Sequence, residues 1–159
     1  MTPLEALQGA YAMLPDRMND PRSTLLLMAI TLQENPLRLP QQVRGPAAGD
    51  YQHEEPTIGL ILKNEQSRRW ALAVCENLGV EPNAHSVWLA IRDGDPRLDA
   101  AFARLLLWCD SKPLPIAGDV AQGWDTYLRV WRPGAAKRDY DKLRLKWSVN
   151  YAKAMEIGR

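Results

Sequence analysis

The stretch Ser23–Gln52, STLLLMAITLQENPLRLPQQVRGPAAGDYQ, decides the fold that we expect for this chain. Its first half, Leu25–Leu32, is apolar at every position except Thr31. A helix at a protein surface carries polar residues every few positions, whereas a helix that is apolar on all sides runs through a core. We therefore predict a central helix, which ends at about Glu34 because Pro36 cannot continue it.

The second half of the stretch begins a polar loop, Asn35–Glu55, which contains Pro, Gly, Gln and Ala and has no clear periodicity. A loop of this length within a domain is usually functional or mobile. At most, residues 41–53 form a small β-hairpin. A carboxyl group at the end of a buried helix can be partly desolvated, which raises a carboxyl pKa and favours general acid chemistry. Glu34 is therefore the leading candidate catalytic residue.

Helix-start signals recur along the rest of the chain. A capping residue precedes each of six predicted helices, at Thr2, Asp20, Ser67, Asn83, Asp95 and Asp119. Apolar residues then follow at helical spacing, and the segment after Asp95-Pro96 has the pattern of an amphipathic helix with one apolar face. The chain is predicted to be mainly α, a single domain over residues 1–159 with about seven or eight helices.

Composition narrows the classes of protein that fit. The chain has 159 residues, of which 46% are apolar and 25% charged, as in ordinary globular domains. A net charge of +1 argues against a nucleic-acid partner. Cys75 and Cys109 belong to no CxxC or Cys/His cluster, so we expect free thiols and no metal site. We also expect no signal peptide, no stable membrane insertion and synthesis in a host cytoplasm.

Groups that could bind a sugar follow Glu34 in the loop. Gly49 permits tight backbone geometry, Tyr51 offers a ring and a hydroxyl, and Gln52 offers an amide. Such groups can bind the hydroxyl and acetamido groups of a sugar. Together with Glu34 they form a candidate site for glycoside chemistry.

Further candidates lie at the end of the loop. Glu54 or Asp50 could supply a second carboxylate, and two carboxylates define the common glycosidase mechanisms. Alternatively, Glu54 begins the next helix, where an acid favours the positive end of the helix dipole, and Asp50 is a turn residue. His53 adjoins the loop and could line a cleft.

The order of these residues resembles the lysozyme-like superfamily, in particular soluble lytic transglycosylases and goose-type lysozymes. In those proteins Glu-Ser is followed, after a loop, by Gly-Leu-Met-Gln; here Gln33-Glu34 is followed by Gly49-Asp50-Tyr51-Gln52. The chain resembles more closely a group of small lysozyme-like proteins from tailed phages and prophages of Gram-negative bacteria. Residues 32–35 correspond to their segment Leu-Gln-Glu-Ser, and residues 44–54 correspond to their segment Gly-Gly-Pro-Ala-Arg-Gly-Phe-Trp-Gln-Phe-Glu. Residues 102–108 and 124–134 are also similar to that group.

This resemblance implies a lysozyme-like fold and a specific reaction. Glu34 would protonate the glycosidic oxygen between N-acetylmuramic acid and N-acetylglucosamine. In a transglycosylase it would then act as base while the muramyl 6-hydroxyl attacks C1, giving a 1,6-anhydro product. In a hydrolase, water would attack with help from Asp50 or Glu54. The resemblance also implies that loop residues contact the sugars and that no cofactor or metal is needed.

Two classes of function follow from the resemblance. The first is a phage or prophage enzyme that cleaves peptidoglycan glycan strands, reaching the cell wall or periplasm through a membrane lesion or within a virion. The second is a catalytically inactive lysozyme-fold protein that serves as a virion component or binding module beside other virion proteins. Asn35 stands where the related proteins have Ser, and Asp50 and Tyr51 replace two aromatic residues. The departures at Asn35 and Asp50 favour the second class.

Overall fold

Helices dominate the part of the chain that the computed structural model describes, residues 1–133 and 139–157. Within these residues the chain forms eight α-helices and a short 3-10 turn at Asp16–Met18. The helices are α1 (Pro3–Tyr11), α2 (Pro21–Glu34), α3 (Glu55–Lys63), α4 (Arg68–Leu78), α5 (Ala84–Arg92), α6 (Pro96–Trp108), α7 (Val120–Trp131) and α8 (Tyr140–Ile157). The mainly helical class is confirmed.

Helix α2 is buried along most of its length, as its sequence predicts. It starts at Asp20, whose side chain accepts a hydrogen bond from the backbone of Arg22, and it ends at Glu34. Residues 26–31 are all buried. Its main neighbour is α8, and α1 and α6 cover other parts of its surface. The carboxyl end of α2 is thereby fixed in the core of the helical assembly.

Helix α6 differs from its prediction as an amphipathic helix with one apolar face. All residues from Leu98 to Leu105 are buried, including Asp99 at 3% exposure and Arg104 at 2%. The reason is that α6 packs against α1 and α4 and also touches α2, α3 and α5, so no side of its middle faces solvent. Two charged side chains are therefore enclosed by neighbours that are distant in sequence.

Local capping signals are mostly used as predicted. Thr2 forms a reciprocal capping box with Glu5, and Gly79 ends α4 in the left-handed region at φ 66°. Ser67 is the exception, because it precedes α4 without capping it through its side chain. Its hydroxyl instead donates to the carbonyl of Ile61 at 2.6 Å, which ties α4 to the preceding helix.

An aromatic cluster joins α7 to α8. The rings of Tyr127 and Trp147 are stacked, with centroids 4.9 Å apart and planes within 9°. Trp124 and Tyr151 complete the cluster with tilted contacts to Trp147. Gly123 leaves room for it, since a Cβ there would lie 3.1 Å from the Tyr151 ring. This packing holds α7 in place beside the end of α2.

The loop between α2 and α3 contains isolated antiparallel bridges, Gln41 with Ala48 and Ala48 with His53. They fit the expectation of a small hairpin at most in residues 41–53. Cys75 and Cys109 are free thiols, as predicted. Within residues 1–133 and 139–157, no helix is both long and apolar enough to cross a membrane.

Candidate functional site

Glu34 is the last residue of α2, and its partly buried side chain is held by a residue from α7. The hydroxyl of Tyr127 donates to Glu34 Oε1 at 2.6 Å. Tyr127 is itself buried and stacked on Trp147, so its hydroxyl has little freedom to move. Two packed helices therefore fix the position of this carboxylate.

The residue before Glu34 ties the same helix end to α8. Gln33 donates through Nε2 to the carbonyl of Leu143 at 3.0 Å, and its Oε1 accepts from Asn150 Nδ2 at 2.8 Å. Both bonds span a large separation in sequence. They restrain the last turn of α2 on the side facing α8, which limits the movement of Glu34 further.

Asn35 connects the end of α2 to the Gly49–Gln52 segment. Its side chain is only 6% exposed. Nδ2 donates to the carbonyls of Leu39 at 2.7 Å and Gly49 at 2.9 Å, and Oδ1 accepts from the backbone of Leu39 at 3.0 Å. The residue that follows the candidate acid is thus bonded to the first residue of the candidate binding segment.

Gly49 is required at its position for two reasons. Its φ is +81°, in the left-handed region, and a Cβ would lie 2.6 Å from Ile91 Cγ2 and would also collide with the Asp99 carboxylate. The prediction that Gly49 provides tight backbone geometry therefore fits the structure. Its carbonyl accepts from Gln52 Nε2 at 2.9 Å as well as from Asn35.

Asp50 is occupied by an ion pair. Arg38 donates to both of its carboxylate oxygens, at 3.0 Å from Nε and 2.8 Å from the terminal nitrogen. The backbone amide of Asp50 donates to Asp99 Oδ2 at 2.6 Å. The hydrogen bond to Asp50 raises the pKa of Arg38, so this guanidinium stays charged. As placed here, Asp50 serves as a paired turn residue and its carboxylate is not free to activate water.

Tyr51 and His53 lie inside the protein, which does not fit the expectation that they contact a sugar or line a cleft. Their exposures are 1% and 2%. Burial raises the pKa of Tyr51 well above its ordinary value, and its hydroxyl has no hydrogen-bond partner among the described residues. His53 Nε2 lies 3.1 Å from the carbonyl of Asp99 and 3.3 Å from its Oδ1. The polar sequence of the loop gives no sign that these two side chains turn inward.

Asp99 is the buried residue that sequence reasoning missed. It touches Asp50, His53 and the space beside Gly49, and burial raises its pKa. Asp99 follows Leu98 in the first turns of α6, and no local signal in the sequence marks it as buried. Through its bond with the backbone amide of Asp50, Asp99 anchors the Gly49–Gln52 segment to α6.

Gln52 and Glu54 remain nearer to solvent. Gln52 is partly buried, adopts φ +56° and folds its amide back on Gly49. Glu54 is exposed and precedes α3, as the alternative interpretation of this acid predicts. It borders an open cleft of about 500 Å³ whose other walls include Arg129 and Trp131. Trp131 donates through Nε1 to the carbonyl of Tyr51 at 3.0 Å, so this cleft adjoins the loop.

Comparisons of the chain with protein-family models, curated proteins and solved structures found no match. In the ranges 1–133 and 139–157, no group of three or more His, Cys, Asp or Glu side chains is placed to hold a metal ion. The site is therefore interpreted from its own geometry and from the sequence pattern.

Proposed function

We propose that this protein cleaves peptidoglycan glycan strands between N-acetylmuramic acid and N-acetylglucosamine, with Glu34 as general acid and then base. The observation that supports this most directly is the bonding of Asn35 to Gly49, at 2.9 Å. Through it, the acid and the Gly-x-x-Gln segment form one unit although a loop separates them in sequence. The residues of the sequence pattern, from Glu34 to Gln52, are thus also linked in space.

The hydrogen bond from Tyr127 supports the second half of the reaction, in which Glu34 acts as base. In the first half, Glu34 gives its proton to the glycosidic oxygen as the bond from that oxygen to C1 breaks, and Glu34 becomes a carboxylate. A hydroxyl that donates to an ionised carboxylate stabilises that form, which then acts as the base for the muramyl 6-hydroxyl. This transglycosylase route requires one carboxylate only, so the pairing of Asp50 with Arg38 does not impede it. A hydrolase would instead need a second acid, for which Glu54 is exposed.

The experiment is loss of turbidity from Gram-negative cell walls stripped of their outer membrane. Wild type is compared with Glu34→Gln and with Glu81→Gln, which removes the same charge from an exposed loop. We expect clearing by wild type and Glu81→Gln, and a rate at least about a hundredfold lower for Glu34→Gln. The masses of the products then separate anhydro ends from reducing ends. If all three proteins are folded and none clears the walls, the enzymatic proposal fails.

A second candidate function is a non-catalytic lysozyme-fold protein that binds glycan strands or other virion proteins. It is favoured by the use of Asp50 in an ion pair and of Tyr51 in the core, because both motif positions serve the fold. Co-sedimentation with insoluble peptidoglycan tests it. Retention on the walls without any clearing supports this candidate, whereas product release contradicts it.

A further inference from the structure

Arg104, in the middle of α6, is a buried cation without a carboxylate partner among the described residues. It is 2% exposed, and its one hydrogen bond in this part of the chain runs from Nε to the carbonyl of Met18 at 2.8 Å. Burial of a charge costs free energy unless the charge is paired, and burial lowers the pKa of this guanidinium. Its two terminal nitrogens therefore have donors to offer to a ligand.

Arg104 belongs to the lining of a cleft of about 340 Å³ on the side of α6 near the 3-10 turn. The lining contains four cationic side chains, two acidic ones, two further polar ones and an apolar wall. They are Arg17, Arg22, Arg104 and Lys112; Asp20 and Asp110; Gln66 and Thr126; and Leu107, Trp108, Pro113 and Leu114. Glu34 and the Gly49–Gln52 segment are not part of this lining, so the cleft is separate from the site described above.

Both acids in the lining are already neutralised. Asp20 binds Arg22 with a shortest contact of 2.8 Å, and Asp110 binds Arg129 through both carboxylate oxygens at 3.1 and 2.7 Å. These hydrogen bonds lower the pKa of both carboxyl groups, which keeps the pairs ionised. Asp20 also attracts Arg104, and Asp110 attracts Lys112, but neither of these cations has an ion-pair contact with the acid.

Three cations of the lining have no carboxylate within ion-pair distance among the described residues: Arg17, Arg104 and Lys112. Arg17 and Arg104 both stack on the indole of Trp108, with guanidinium carbons 5.4 and 5.7 Å from the ring centroid. Both guanidinium groups therefore lie beside the same indole ring, and Arg22 acts on Arg104 as a further like charge. An anion bound beside Trp108 would attract both cations.

We propose that this cleft binds a phosphate monoester. Arg104 is the inner contact, and Arg17 and Lys112 are the outer ones. A phosphate group carries close to two negative charges and three acceptor oxygens, which suits three cations better than a single carboxylate does. The organic part of the ligand lies against Trp108 and the apolar wall beside it. The cleft volume lies within the range of small-molecule sites.

Titration calorimetry at constant ionic strength tests this with phenyl phosphate, inorganic phosphate and benzoate as probes. The variants are Arg17→Gln and Lys112→Gln, with Arg68→Gln as control, since Arg68 is an exposed cation on α4 that does not line the cleft. We expect saturable binding of phenyl phosphate and weaker binding of inorganic phosphate. Each lining variant should weaken phenyl phosphate binding by about fivefold to tenfold, and the control by less than about twofold.

Arg104→Lys provides a further variant, because it keeps the charge and loses the planar donor arrangement. Circular dichroism shows whether this variant folds. If it folds, we expect loss of phenyl phosphate binding. If it does not fold, the proposal is tested by Arg17→Gln and Lys112→Gln alone. The proposal is overturned if no probe binds saturably or if Arg68→Gln weakens binding as much as the lining variants do. Benzoate binding as tight as that of phenyl phosphate overturns the assignment to phosphate.

Discussion

Replacement of Asn35 by Ala removes the side chain that joins the end of α2 to the Gly49–Gln52 segment. Three hydrogen bonds are lost, two to the backbone of Leu39 and one to the carbonyl of Gly49. A net contribution of about 1 kcal/mol for each bond gives an upper value of about 3 kcal/mol. The Gly49 carbonyl keeps its bond from Gln52, and water can reach exposed Leu39, which reduces the loss. We expect Asn35→Ala to lower the free energy of unfolding by about 2 kcal/mol.

Urea denaturation followed by tryptophan fluorescence measures this change, and thermal unfolding should show a decrease in Tm of about 4–8 °C. Asn77→Ala is the matched control, because Asn77 is an exposed residue of α4. Its free energy of unfolding should differ from that of wild type by less than about 0.5 kcal/mol. Asn35→Ser should fall between wild type and Asn35→Ala, since one hydroxyl donates one bond.

A loss below about 0.5 kcal/mol for Asn35→Ala would refute the structural role that we assign to this side chain. Amide hydrogen exchange provides an independent check, because the amide of Gln52 donates to Gly49 within the same segment. If the link is structural, exchange at Gln52 is faster in Asn35→Ala than in Asn77→Ala. Equal exchange in the two variants would show that the segment is held by its other contacts, with Arg38, Asp99 and Trp131.

Three further predictions concern other groups. Tyr127→Phe removes the donor to Glu34 and should lower the rate of wall clearing by at least about tenfold with the circular dichroism spectrum unchanged; an unchanged rate would contradict the role of this hydroxyl. Burial raises the pKa of Asp99 above its ordinary 3.8. At pH values between 3.8 and the raised native pKa, the native state therefore binds more protons than the unfolded chain. The contribution of Asp99 to stability therefore falls as pH rises through the window, and Asp99→Asn should gain on wild type from pH 4 to 7 in urea denaturation at each pH. Burial raises the pKa of both thiols, that of Cys75 to about 11, but Cys109 is partly exposed and Cys75 is buried. At about pH 8 Ellman's reagent should therefore label Cys109 before Cys75 in the native protein and both at once in denaturant.

The helical boundaries could be predicted because their signals are local. Asp20 caps α2 and Pro36 lies just beyond its end, so both limits follow from a few neighbouring residues. The same holds for the caps at Thr2 and Asn83. The burial of α6 could not be predicted, because it depends on several helices that meet around it. Arg97 and Arg104 are seven positions apart, which is the spacing of a solvent-facing stripe, yet neighbouring helices bury Arg104.

The candidate site could be predicted only where its signals are local. Glu34 follows from the end of a helix, whereas Tyr127 is 93 positions away and showed only the spacing of an apolar stripe. The pairing of Arg38 with Asp50 joins two residues of one loop whose path no periodicity defines. A polar loop also gives no sign that Tyr51 and His53 turn inward, since that depends on contact with Asp99 and Trp131.

The departures from the lysozyme-like pattern are each matched by a partner within this chain. Asn35, in place of Ser, reaches both Leu39 and Gly49, and Asp50, in place of an aromatic residue, is neutralised by Arg38. An unpaired acid near Glu34 would repel its carboxylate, whereas the positive charge of Arg38 offsets the charge of Asp50. In the proposed enzyme, Asp50→Asn should therefore cost stability through the loss of the ion pair with Arg38 and leave the clearing rate within about twofold of wild type. A rate that falls as far as that of Glu34→Gln would instead assign Asp50 to the chemistry and would favour the hydrolase route over the transglycosylase route.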